Sequence, residues 1–382
     1  MNNFIYENGT KIIFGGGCVK EYLASCVHGY GPHVLLVTDG GAALSGALDE
    51  VTRILRAEGK TAEEHTVCTP CPDCEEVRQA ARLCRERRVD LVLGVGGSAV
   101  LDFCKAASLA AVCRGELWTD FWMCQGVVDI PPLPVGLVST AAEVGSINGP
   151  TALKWEDRYI WREYPPCDPK FALLDPAYTR PLSSPEFLGQ GFSAFAGAVE
   201  QYLAPSEGAK VSCELLEALL RRIARDLDAC RRDLRDDAAR SDLIWACALC
   251  GSRLFQLGRC CALRKSPLRT AALRAAAETG GGYGEVLAVL LMARCRQEAA
   301  ERPGRMARMA RRVWELPEDG RTEQDLAQES LNTLEGFLKT LGLPAMLSGL
   351  ESGRAEWLAG LLASDSQGAL HALVPFLTAG RG

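Results

Sequence analysis

The stretch Leu91–Lys105 (LVLGVGGSAVLDFCK) writes a buried strand, a glycine turn and the start of a helix in immediate succession. Its apolar run does not alternate with polar residues, so the strand it forms is covered on both faces, as strands of parallel sheets are. That strand spans Asp90–Val95 (DLVLGV), ends in Gly96–Gly97 and leads into a helix reaching about Val112. His33–Thr38 (HVLLVT) repeats the plan, with a compact apolar run, then Asp39–Gly40–Gly41, then a helical pattern to about Glu58. Glu75–Arg88 reads as an amphipathic helix, and Pro134–Thr140 and Phe171–Leu174 read as further strands. Strands that alternate with helices in this way call for a parallel sheet joined by right-handed crossovers.

From Ser184 onward the text changes. It becomes rich in Ala, Leu, Arg and Glu, with helical periodicity to the end, and Pro205, Pro267, Pro303, Pro317 and Pro344 divide it into separate helices. The turn-rich segment Asp175–Ser184 (DPAYTRPLSS) marks the change. The expected architecture is an α/β domain over residues 1–178 and an all-α domain over residues 179–382, a length ample for two cores.

Hydrophobic residues make up 48% and charged residues 24%, an ordinary globular balance. The net charge of -6, from 42 basic and 48 acidic side chains, leaves no footprint for nucleic acid or for an anionic membrane surface. The longest apolar runs, such as Val286–Ala293, fall short of a membrane span, and Met1–Phe4 does not open a basic-then-apolar signal. Seventeen cysteines in such a chain fit a reducing cytosol. A cytoplasmic protein with neither a nucleic-acid nor a membrane partner is expected.

Glycine turns after parallel strands let a phosphate approach backbone N–H groups, helped by the partial positive charge of the following helix. Asp39–Gly40–Gly41 and Gly96–Gly97–Ser98 are two such turns, at the strand ends where open α/β sheets bind ligands. The alternative is tight strand–helix packing with no ligand. Histidine is absent between His65 and His371, so any pocket in that span works without the commonest metal ligand and proton carrier. Cys68, Cys71 and Cys74, and Cys247, Cys250, Cys260 and Cys261, have spacings suggestive of metal sites; buried thiols acting as small hydrophobes account for both sets better.

Several segments carry a family resemblance. Thr10–Gly15 (TKIIFG), Gly94–Lys105 (GVGGSAVLDFCK), Phe171–Pro176 (FALLDP) and Glu200–Gln201–Tyr202 resemble, in order and spacing, the iron-containing alcohol dehydrogenases, in particular their butanol-dehydrogenase-like branch. The resemblance implies that family's architecture, shared with dehydroquinate synthase: a Rossmann-like N-terminal domain and a helical C-terminal one. It also implies NAD(P)-linked hydride transfer to or from an alcohol or aldehyde, beside a divalent metal in the interdomain cleft. It adds Asp102, Lys105 and Thr140 to the cofactor candidates Asp39, Gly40, Gly41, Gly96, Gly97 and Ser98, and it suggests a homodimer with Lys11–Phe14 pairing across a two-fold axis.

The family's metal is held by Asp-x3-His on one helix and by two later histidines. Aligned on Gly191–Tyr202 (GFSAFAGAVEQY) and Ser266–Leu290, this chain has Ser193, Gly197, Arg269 and Tyr283 at those four positions. Serine is a poor neutral ligand, glycine has no side chain and arginine is permanently positive, so no bound metal is expected. Arg269 either supplies the missing charge, with Tyr283 or Ser193 bonding a substrate oxygen, or fills an abandoned pocket paired to Glu278 or Glu285. Ser98 stands where the family has a third glycine, and Glu143 enters its second nucleotide turn (Ser139–Ser146). Two functional readings follow: an NAD(P)-linked alcohol or aldehyde oxidoreductase, or a catalytically inactive relative that binds a small molecule or pairs with another subunit.

Overall fold

The computed structural model describes residues 3–144, 147–204, 209–257, 266–364 and 370–377. Ten elements open the chain: β1 (Lys11–Phe14), α1 (Cys18–Val27), β2 (His33–Thr38), α2 (Gly40–Leu44), α3 (Ala47–Ala57), β3 (Thr61–Thr66), α4 (Cys74–Arg87), β4 (Leu91–Gly96), α5 (Ser98–Ala110) and β5 (Val135–Ser139). The apolar run of β2 sends alternate side chains to opposite faces, and both faces are covered. Val34 and Leu36 join a core with Val19 and Leu23 of α1 and Val51 and Leu55 of α3. Leu35 and Val37 join a second core with Val77 and Ala81 of α4 and Phe103 and Ala107 of α5.

The chain continues through the antiparallel hairpin β6 (Thr151–Trp155) and β7 (Arg158–Arg162) to β8 (Phe171–Leu174). The main sheet is wholly parallel, in the order β1-β8-β5-β4-β2-β3. Winding goes from β2 outward to β3, then returns to the other side of β2 for β4. The order therefore reverses between β2 and β4, and the carboxyl ends of those two strands flank the place where doubly wound sheets take ligands.

The strands expected at His33–Thr38 and Phe171–Leu174 form with those bounds, and those near Asp90–Val95 and Pro134–Thr140 form as Leu91–Gly96 and Val135–Ser139. The single helix expected to about Glu58 is instead two, α2 and α3, separated at Ser45–Gly46, where Gly46 has φ +76. β3, β6 and β7 were not expected from the sequence, nor was the π-helical turn Leu117–Met123.

Helices follow: α6 (Ser184–Leu203), α7 (Lys210–Arg232), α8 (Asp237–Cys250), α9 (Pro267–Thr279), α10 (Tyr283–Glu301), α11 (Pro303–Arg312), α12 (Glu323–Thr340), α13 (Ser352–Ser364) and α14 (Val374–Leu377). Pro267 and Pro303 sit at the first helical position, where a missing N–H costs nothing. Pro205 lies outside the described residues. Two compact bodies result: Ile5–Ala194 with Leu234–Leu254, and Phe195–Asp233 with Phe255–Gly382 and Met1–Phe4. In the second body the apolar run Val286–Ala293 of α10 is wholly buried. Beside it Glu298, also buried, accepts from Arg294 (2.9 Å) and Arg302 (2.6 Å). No helix among the described residues is long and apolar enough to cross a membrane.

Candidate active site

At the carboxyl end of β2, one carboxylate serves two helices. Asp39 Oδ1 accepts the Ala42 N–H (3.0 Å) as the N-cap of α2, and Oδ2 accepts the Gly97 N–H (3.0 Å) at the start of α5. Both helices place partial positive charge there, which the aspartate offsets. The turn after β5 joins the group: Thr140 N–H donates to Gly96 O (3.3 Å), and Ser98 Oγ donates to Glu143 O (3.3 Å). A Cβ built on Gly41 would meet Thr140 Oγ1 at 3.4 Å. Asp39, Gly41, Gly96, Gly97, Ser98 and Thr140 are thus brought together at the point where the strand order reverses, with Gly40 beside them.

Gly96 has a second duty. A Cβ there would lie 2.5 Å from Val100 Cγ2 and 2.6 Å from Asp39 Oδ2, so close strand–helix packing already requires glycine. Packing and ligand approach, alternatives in the sequence, divide between positions: around Gly40 no neighbouring atom comes within 4 Å of an added Cβ. The Gly97 N–H, which a phosphate would seek, is held by a carboxylate, and an incoming anion must compete with it. Glu143 is near enough to Cys250 that its charge adds to burial in pushing that thiol up to about 12.

Asp102 lies about one turn further along α5. It is buried, and its Oδ2 accepts the Ala152 N–H of β6 (3.2 Å). Lys105, 1% exposed, donates to Gly149 O (3.1 Å) and lies 3.2 Å from Asp168. Asp168 also binds Arg253 Nη1 (2.9 Å) and Asn148 Nδ2 (3.5 Å), and Asn148 donates to Thr10 Oγ1 (2.6 Å). Burial holds the Lys105 ammonium below its usual range, against the opposing pull of Asp102. This network ties the start of β1, the residues before β6 and the chain after α8 to α5.

On α6, Ser193 is buried at 2% exposure and Gly197 follows one turn later. Gly197, Arg269 and Tyr283, all half-buried in the helical body, converge from α6, α9 and α10. Arg269 Nη1 lies 3.6 Å from where a Gly197 Cβ would stand, and Arg269 Nε donates to Tyr283 Oη (3.5 Å). Ser266, the N-cap of α9, accepts the Arg269 N–H (3.4 Å) and donates to Glu200 Oε2 (2.5 Å). Burial pushes the Glu200 carboxyl up to about 7, more than the Ser266 bond and the Arg269 charge pull it down. The carboxylates named as alternative partners for Arg269 have other engagements: Glu285 with Arg354 (2.6 Å) and Glu278 with Trp357 Nε1 (2.6 Å).

Comparison with known proteins identifies the family. A family model for iron-containing alcohol dehydrogenase matches residues 9–176. The "Probable NADH-dependent butanol dehydrogenase 1" of Bacillus subtilis is 30% identical over 355 residues, spanning 91% of this chain and 89% of that protein. The chain belongs to the iron-containing alcohol dehydrogenase family. A second Bacillus subtilis relative, "Probable NADH-dependent butanol dehydrogenase 2", is 28% identical over 376 residues, covering 96% of this chain and 94% of the relative. The crystal structure of NADH-dependent butanol dehydrogenase A from Thermotoga maritima superposes with a TM-score of 0.84 over 99% of each chain, at 20% identity. That likeness establishes the fold, an α/β domain with a parallel sheet followed by a helical domain.

The family is NAD(P)-linked and its members normally carry a divalent metal, so both groups can be tested against the residues present. The glycine turns suit a dinucleotide phosphate in shape, with Gly40, Gly97 and Ser98 as the nearest backbone and Asp39 as the carboxylate it must accommodate. Ser193, Gly197, Arg269 and Tyr283, which the resemblance sets at the metal positions, do not suit a cation. A guanidinium overlies Gly197, and its fixed positive charge opposes a second one in the same place. Among the described residues, no group of three or more His, Cys, Asp or Glu side chains could hold a metal ion.

The first cysteine set divides: Cys71 and Cys74 are buried and burial raises both thiols, while Cys68 is exposed. Cys247 and Cys250 are buried in α8, and Cys260 and Cys261 lie outside the described residues. Sequence reasoning did not assign roles to Glu200, Ser266, Asp168 or Arg253. The signals for the first two were available: Glu200 lies three residues after Gly197 on one helix, and Ser-Pro at 266–267 is a helix-start signature.

Proposed function

We propose that this chain is a metal-free member of its family that binds NAD(P) and a small molecule without carrying out the metal-dependent alcohol chemistry. The observation that carries the reading is Arg269 lying over Gly197, with Tyr283 on its Nε edge. A divalent ion that stabilises a developing alkoxide contributes several kcal/mol to the transition state, and a guanidinium in its place cannot coordinate the oxygen directly. When bound, NAD(P)H supplies hydride; the chain's own residues at the strand ends are the backbone at Gly97 and Ser98 for the phosphates and the Asp39 carboxylate beside them. The relatives' names, butanol dehydrogenases described as NADH-dependent, support a nicotinamide ligand. Titration with NADH and NADPH tests this: binding of either below about millimolar concentration is expected, and binding of neither overturns it.

A second reading has its own support. Arg269 retains a positive charge and Tyr283 a hydroxyl, so a metal-independent reduction of an aldehyde is chemically open, the pair donating hydrogen bonds to the carbonyl oxygen. An aldehyde panel with NAD(P)H, run in chelator and again with added Fe²⁺ or Zn²⁺, separates the two. Turnover in chelator favours the second reading, and its absence in all conditions favours the first. We also propose a cytoplasmic homodimer. β1 is an edge strand, with Ile5 94% exposed and Phe4, Tyr6 and Phe14 exposed near it, which provides an edge and apolar surface for a second copy. A monomeric mass in solution at micromolar concentration would remove that proposal.

A further inference from the structure

Helix α4 carries arginines at 78, 82 and 85, and spacings of four and three residues set them along one face over about 10 Å. All three line a cavity of about 490 Å³, bordered also by the end of α5 and the turn leading to Leu117. Sites for small molecules run from roughly 300 to 1,000 Å³, so a cavity of this size admits one. Part of its lining is apolar and buried: Ala81, Ala110, Ala111 and Leu117. Its charges are the three arginines against Glu75 and Glu116, since burial pushes the Cys113 thiol up and keeps it neutral.

The two carboxylates are spent on neighbours. Glu75 accepts from Arg78 Nη1 (3.3 Å) and Arg82 Nη2 (2.9 Å). Glu116 accepts from Arg78 Nη2 and from the Thr119 N–H (2.7 Å), and the Arg78 guanidinium lies 4.2 Å from the centre of the Trp155 ring. Arg82 and Arg85 are less fully used. Among the described residues, Arg82 hydrogen-bonds Glu75 alone, and Arg85 only the Ala110 (2.9 Å) and Ala111 (3.4 Å) carbonyls, both through Nη1. A guanidinium has a fork of several N–H donors, so each of these two keeps some for an acceptor the chain does not supply.

We propose that the cavity between α4 and the end of α5 binds a small organic monophosphate, with Arg82 and Arg85 donating to the phosphate oxygens. A phosphate can accept from two guanidinium groups at once, whereas the two oxygens of a carboxylate are filled by a single fork. The apolar lining takes the organic part of the ligand. Ala110 lies about 18 Å along α5 from Ser98, so this site is separate from the glycine turns at the strand ends. It stands whether or not the chain holds a metal or NAD(P).

Calorimetric titration of the full chain with phenyl phosphate and with phenol, at constant low chloride, tests the proposal. Phenyl phosphate is expected to bind below about one millimolar, and at least about tenfold more tightly than phenol, the discrimination that charge-assisted bonds give. Arg82→Gln and Arg85→Gln are each expected to weaken phenyl phosphate by about three- to tenfold. Arg87→Gln removes the same charge from the same helix, but Arg87 pairs with Glu63 and does not line the cavity. It should change the affinity by less than about twofold, because exposed charges at a distance are screened. No detectable binding of phenyl phosphate, equal affinity for phenol, unchanged affinity in Arg82→Gln, or as large a loss in Arg87→Gln overturns the proposal. Arg85 also caps the last carbonyls of α5, so if Arg85→Gln fails to fold by circular dichroism, Arg82→Gln decides alone.

Discussion

A methyl group added at Gly96 would meet Val100 Cγ2 at 2.5 Å and Asp39 Oδ2 at 2.6 Å, whereas at Gly197 its nearest neighbour is Arg269 Nη1 at 3.6 Å. The two glycines therefore respond oppositely to the same change. Gly96→Ala overpacks the β4–α5 turn and is expected to cost roughly 1–3 kcal/mol. Gly197→Ala sits in ordinary contact distance within a helix and is expected to stabilise by about 0.5–1 kcal/mol. Urea denaturation of the two variants checks both signs. Glu200 gives a residue-level pH dependence. Burial raises its carboxyl to about 7, so in the folded state it keeps a proton that the unfolded chain has already released. Between the ordinary carboxyl range and about 7 the folded state binds more protons, and its stability falls as pH rises through that window. Glu200→Gln, which cannot titrate, should flatten this part of the melting-temperature profile, and an unchanged slope would count against the assignment.

At the scale of elements, the parallel strands were legible because burial on both faces leaves a sequence with few polar residues. β2, β4, β5 and β8 all have that character. β3 (TAEEHT) lies at the sheet edge with several exposed side chains, so its sequence carries no apolar run for a pattern to detect. The β6–β7 hairpin was missed for a related reason: its strands are short and end in charged or half-buried residues such as Lys154 and Arg158. Asp102 and Lys105 show the limit of motif reading in another way. Both stand in the stretch that resembles the family's nucleotide turn, yet Asp102 also accepts the Ala152 N–H and Lys105 meets Gly149 O and Asp168, contacts made only once distant segments meet. Lys105→Met would leave Asp168 with one fewer buried counter-charge and is expected to destabilise by about 3–5 kcal/mol. Replacing Arg180, whose ion pair with Asp237 is exposed, should change stability by less than about 1 kcal/mol under the same denaturation assay.

For the whole molecule, the sequence named four candidate positions, of which Gly197, Arg269 and Tyr283 come together in the structure. Spacing placed Ser193, Gly197, Arg269 and Tyr283 in register with the family motif. It could not reveal that Tyr283 takes the Arg269 Nε edge, which depends on how the consecutive helices α9 and α10 pack, or that the Ser266–Glu200 bond anchors the start of α9, which joins residues 66 apart. Purified protein is expected to contain no stoichiometric iron or zinc, as elemental analysis would report. The combined variant Ser193→Asp, Gly197→His, Arg269→His and Tyr283→His is expected to gain one equivalent of either metal, and no gain would mean the motif has been aligned on the wrong residues. The guanidinium over Gly197 has one more consequence. A charge carried by Arg269 arrives with translation and needs no loading step, no metal delivery and no reducing agent to keep it in one oxidation state. On the metal-free reading, protein made by a cell starved of iron would then be the same as protein made in plenty, and whatever the site binds would be answered without reference to metal supply.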